Sequence, residues 1–135
     1  MRYKKESFGE SSFKESSFVS VNERAGRMSS GNQYRDANAW IEALDLILSY
    51  SAEYVLPGHT KPLIGRENVE EVLTNFRDAI EYVLNETLQG MNNGLTADEL
   101  AASIKLPKKF AKLLYLGEFY GGVAWSVRSI FNGYV

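Results

Sequence analysis

Between Glu67 and Met91 the apolar positions Val69, Val72, Leu73, Phe76, Ile80, Val83, Leu84, Leu88 and Met91 keep the period of about 3.6 residues that lines one face of a helix. Glu67, Glu70 and Glu71 stand at its start, where the helix dipole favours negative charge. Asn92-Asn93-Gly94 ends it, because Asn and Gly tolerate the left-handed backbone of a C-cap. Thr96-Ala97-Asp98-Glu99 then has the spacing of a capping box and predicts a short helix to about Lys105. Leu106-Pro107 punctuates, Lys108 to Leu116 is weakly helical, and Gly117 breaks it. After Tyr120-Gly121-Gly122, the residues Val123, Val127, Ile130 and Phe131 return to helical spacing. Nearer the N-terminus, Trp40, Ala43, Leu44, Ile47 and Leu48 follow the N-cap candidate Asp36 and predict a helix from about Ala37 to Ser51. Tyr54-Val55-Leu56 is β-prone and stops at Pro57-Gly58. So short a strand needs a neighbouring strand.

Residues 1–32 follow another rhythm. Phe8, Phe13 and Phe18 are spaced by five in a background of Ser, Lys and Glu, which fits neither a strand nor a helix. An irregular or disordered N-terminal segment is expected, with Gly26, Ser29, Ser30 and Gly31 marking a loop. The alternative is that the three Phe dock on a partner surface.

Composition narrows the function classes. At 135 residues with 44% hydrophobic side chains the chain can bury one ordinary core. A net charge of -2 offers no sequence-wide attraction to nucleic acid or anionic lipid. With no cysteine, thiolate chemistry and Cys-based zinc sites are excluded. No apolar run approaches the roughly 18 residues of a membrane span.

The single histidine, His59, follows the β-prone run on what reads as a loop, a common place for a metal-ligating imidazole and also for an ordinary turn residue. Its surroundings carry a resemblance. Tyr34-Arg35-Asp36, Trp40, Leu44-Asp45 and the stretch Glu53 to Gly65 resemble the end of the catalytic domain of alkyl sulfatases of the metallo-β-lactamase superfamily. Arg77-Asp78-Ala79-Ile80, the Thr87 to Glu99 run, Leu106-Pro107, and Glu118 to Gly121 through Trp125-Ser126-Val127-Arg128 look like that family's helical dimerisation domain.

The resemblance implies a mainly α chain in three parts. These are an irregular segment over 1–32, the last helix and strand of a metallo-β-lactamase-like α/β domain over 33–66, and a helical dimerisation domain over 67–135, truncated at its C-terminus. It implies zinc-dependent hydrolysis of alkyl sulfate esters, with His59 as the last metal-ligating histidine. Two zinc ions need a cluster of histidines and carboxylates, and one imidazole cannot supply it, so the chain is expected to be inactive alone. For sulfate oxygens the family places an Arg where this chain has Ser30-Gly31. Arg27 and Asn22 serve only with a shift of register, and Tyr120 and Tyr134 offer phenolic hydroxyls that aromatic packing can equally absorb. A helix of about 25 residues with so wide an apolar face is not covered by two short helices, which favours a homodimer over a compact intramolecular bundle. Two alternatives stay open: a non-catalytic helical interaction module and a small carrier of hydrophobes.

Overall fold

A computed structural model describes the backbone of residues 2–6 and 18–20, and residues 36–57, 61–113, 116 and 122–135 in full. Their order is β1 (Arg2–Glu6), β2 (Phe18–Ser20), α1 (Ala37–Ser49), β3 (Tyr54–Val55), β4 (Leu63–Ile64), α2 (Arg66–Asn92), α3 (Ala97–Ser103), α4 (Lys108–Ala111) and α5 (Val123–Tyr134). Helix dominates, as the periodicity requires. The chain forms two compact units, Met1–Arg27 with Asn38–Arg77, and Met28–Ala37 with Asp78–Val135.

In the first unit the strands form one antiparallel sheet in the order β2-β1-β3-β4. Arg2, Tyr3 and Lys4 pair with Ser20, Val19 and Phe18. Further along the same strand, Lys5 and Glu6 pair with Val55 and Tyr54. The segment 1–32, expected to be irregular or disordered, contains two strands, and one of them is the neighbour that so short a strand as β3 needs. Neither strand was legible in the five-residue Phe rhythm, because the partner that stabilises β1 lies far along the sequence. The rest of 1–32, with Phe8 and Phe13, lies outside the described residues.

β4, which the sequence reading missed, pairs Ile64 with Tyr54 and Leu63 with Val55. At Gly65 the hairpin becomes a helix. Its N–H donates to the Glu53 carbonyl at 2.8 Å, and its own carbonyl accepts from the Val69 N–H at 2.9 Å. The φ of +92° that this double role demands is open to glycine and strained for any other residue. The core of this unit comprises Ile41, Ala43, Leu44 and Ile47 of α1, with Ala52, Val55, Val69 and Leu73. Burying each of the larger side chains stabilises the fold by about 1.5–3 kcal/mol before chain entropy is counted.

In the second unit the core is built from Ala79, Val83, Leu84, Leu100, Ala101, Ile104, Phe110, Val127 and Ile130, and α3 packs on α5. Thr87 is fully buried among them; its hydroxyl donates to the Val83 carbonyl one turn back at 2.7 Å, which satisfies it. In the stretch Lys108 to Leu116, expected to be weakly helical, α4 runs from Lys108 to Ala111.

Candidate functional site

His59, Asn22, Arg27 and Tyr120 lie outside the described residues, and so do Ser30, Gly31 and Arg35. The hairpin strands on either side of the His59 loop are described: β3 with Val55 buried, and β4 with Ile64 exposed. Among the described residues no group of three His, Asp or Glu side chains could hold a metal ion. Tyr134, the remaining substrate-contact candidate, sits on the last turn of α5 and is exposed.

The best-built region is the corner where α2, α3 and α5 meet. α2 ends in a Schellman turn: the Leu95 N–H donates to the Gly90 carbonyl at 3.1 Å and the Gly94 N–H to the Met91 carbonyl at 2.9 Å. Gly94 supplies the left-handed residue, with φ +81°. Two residues later the predicted capping box is formed. The Thr96 N–H donates to a Glu99 carboxylate oxygen at 2.8 Å, and the Glu99 N–H donates back to the Thr96 hydroxyl at 3.4 Å. The Thr96 hydroxyl also donates to the same carboxylate at 2.8 Å. These hydrogen bonds, the backbone N–H foremost, hold the Glu99 carboxyl below its ordinary range, because they favour the charged form.

Gly90 explains how α2 and α3 come so close. A Cβ there would overlap Leu100 Cδ2 and stand 3.3 Å from Leu100 Cγ, and Leu100 is 2% exposed. A glycine inside an otherwise strong helical pattern is the only signal of this contact in the sequence, and it does not by itself name Leu100 as the partner. On the other side of α3, Arg128 of α5 donates to Asp98 at 3.1 Å. Both partners are largely exposed, so this pair sets orientation more than it adds stability.

Two further features were missed or only half seen. Arg77 donates to Asp45 at 2.7 Å, tying α2 to α1 inside the first unit. Both residues belonged to matched stretches, but nothing in the sequence paired them. Val72, Phe76 and Ile80 recur at four-residue spacing along α2 and stay only half-buried. Trp125 and Tyr134 of α5 are exposed, as is Leu95 in the link before α3, so apolar surface stays in contact with water.

Comparison with known proteins bears on this helical corner. Residues 96–135, which carry the capping box, α3, α4 and α5, match the family described as alkyl sulfatase dimerisation. A linear primary-alkylsulfatase from Pseudomonas sp. is 45% identical over 106 residues, which is 78% of this chain and 20% of that protein. An (R)-specific secondary-alkylsulfatase from Pseudomonas sp. is 31% identical over 109 residues, 78% of this chain and 16% of that protein. Among solved structures, a double mutant of the sec-alkyl sulfatase PisA1 superposes with a TM-score of 0.72 at 29% identity, covering 79% of this chain and 18% of that one. The chain spans a fifth or less of the length of these relatives.

Proposed function

We propose, for a chain that belongs to the alkyl sulfatase family through its dimerisation segment, that it is the part of a sulfate ester hydrolase that joins two copies and contributes one metal ligand. The match of residues 96–135 to the dimerisation family carries this reading. Residues 67–135 are the dimerisation portion and 33–66 the tail of a metallo-β-lactamase-like domain. The half-buried Val72, Phe76 and Ile80 provide apolar surface that a second copy covers, and a two-fold arrangement presents the stripe to itself.

In this reading His59 ligates zinc in the assembled hydrolase, and alkyl sulfate esters are the substrate class. The donors present here do not fit a zinc pair by themselves: the sequence holds one histidine and no cysteine, and the described carboxylates form no ligand group. The remaining ligands come from outside this chain. Arg27, Asn22 and Tyr134 are the candidates for holding sulfate oxygens, of which Tyr134 has the exposure that a contact requires. No catalytic step is assigned to the chain alone.

The test has two readouts. Light scattering should report a dimer, and zinc with dodecyl sulfate should release no sulfate from the chain by itself. Adding the separately produced remainder of the Pseudomonas linear primary-alkylsulfatase should restore release, and His59→Ala should abolish it. A dimer with no release in any combination favours the second reading, a non-catalytic dimerisation module, which the same exposed apolar surface supports. Sulfate release by the unaided chain would defeat both.

A further inference from the structure

The segment from Leu100 to Leu113 contains Lys105, Lys108, Lys109 and Lys112 and no acidic residue, although the chain as a whole has a net charge of -2. All four lysines are exposed. The fold holds their segment by burying two apolar side chains, Ile104 and Phe110. Ile104, 9% exposed, anchors the extended stretch that carries Lys105, and Phe110, 2% exposed, anchors α4. Pro107 starts that turn, its carbonyl accepting from the N–H groups of Phe110 at 2.9 Å and Ala111 at 3.0 Å. Lys112 continues the right-handed helical backbone as C-cap. At about 100° per residue, Lys108, Lys109 and Lys112 therefore share one side of the turn, and Phe110 occupies the opposite side. The Lys109 ammonium lies 4.4 Å from the centre of the Phe110 ring, which steadies the near end of the cluster. The ion pairs of Arg77 with Asp45 and of Arg128 with Asp98 do not use these lysines.

We propose that Lys105, Lys108, Lys109 and Lys112 form an electrostatic docking surface for an assembly of anionic amphiphiles, with sulfated headgroups as the ligand chemistry. The choice of sulfated headgroups rests on the function proposed above; the attraction to a dense anionic surface rests on the lysine cluster itself. Exposed lysines gain little from one isolated anion, but a charged interface presents many anions to four ammonium groups at once. Beside the lysines stand Leu106, Pro107 and Leu113, half-buried, which suit an interface with an apolar interior behind its charge. The segment has no arginine, so it lacks the planar fork that favours phosphate recognition in nucleic acids.

The experiment uses the full chain and vesicles of phosphatidylcholine with or without hexadecyl sulfate, read by co-sedimentation. Binding is expected to the sulfated vesicles only and to weaken as salt rises. Replacing all four lysines (Lys105→Gln, Lys108→Gln, Lys109→Gln, Lys112→Gln) should lower partitioning by more than about tenfold. Arg66→Gln, an exposed cation outside the segment, should change it less than about twofold. Adding Glu42→Gln, Glu67→Gln, Glu70→Gln and Glu71→Gln to the quadruple variant returns the net charge to that of the wild type and should not recover binding. Unchanged partitioning in the quadruple variant overturns the proposal, as does recovery on restoring net charge. Tighter binding to a single-stranded oligonucleotide than to sulfated vesicles at equal anion concentration also overturns it. Vesicle binding needs no turnover, so failure of the sulfatase reading and failure of this one are separately visible.

Discussion

From Gly90 to Glu99 the hydrogen bonds that turn α2 into α3 join residues no more than five positions apart, whereas in the sheet around β3 the paired residues Lys5 and Val55 come from two separate stretches of the first unit's sequence. The first region needs only its own residues to choose its shape: a glycine for the left-handed turn and a Thr and Glu for the box. The second exists only when distant segments meet, so its loop-closure entropy must be offset by packing elsewhere in the unit. A local corner should therefore fail through single atoms, and a non-local sheet through loss of partners.

The largest effect expected is at the core of the corner. Leu100→Ala should lower the stability of the second unit by about 2–5 kcal/mol in urea titration, because it empties a site that is 2% exposed. A loss below that range would mean the corner is looser than its burial implies. Gly94→Ala should come next, at about 1–2 kcal/mol, since φ +81° strains any side chain.

For the sheet, Lys5→Pro removes a backbone N–H from β1 at the position paired with Val55. The expected result is loss of strand signal in the infrared amide I band with a stability change of no more than about 1 kcal/mol, as the pairing is short. A loss as large as that of Leu100→Ala would erase the contrast between the two regions.

The smallest effect concerns pH. The Glu99 carboxyl is held below its ordinary value in the folded chain, so its contribution is present above the ordinary glutamate range and is lost as pH falls through the folded value. The difference in urea midpoint between wild type and Glu99→Ala should be constant near neutrality and shrink in acid. A difference that grows in acid would reverse the assigned sign.

The same contrast explains what could be read in advance. The long helix, its Asn-Gly stop, the Thr96–Glu99 box and the helix after Gly122 are written in neighbouring residues, and the fold follows them closely. α1 begins directly after Asp36, as its cap position suggested. β1, β2 and β4 escaped because two to five residues carry too little pattern to reveal a strand. Gly90 was visible as an oddity, but only the packed Leu100 gives it a purpose. Of the candidate site, the sequence identified the dimerisation portion by its motifs, while His59, Arg27 and Asn22 fall outside the described residues and Tyr134 alone is located.

The link between α2 and α3 has one more consequence. Its residues are nominally a turn, yet the N–H groups of Asn93, Gly94 and Leu95 all donate to carbonyls of the last turn of α2. Hydrogen exchange at these amides should therefore be as slow as in the helix end they cap, so a deuterium map of the chain would draw the boundary of α2 past Asn92, at Leu95.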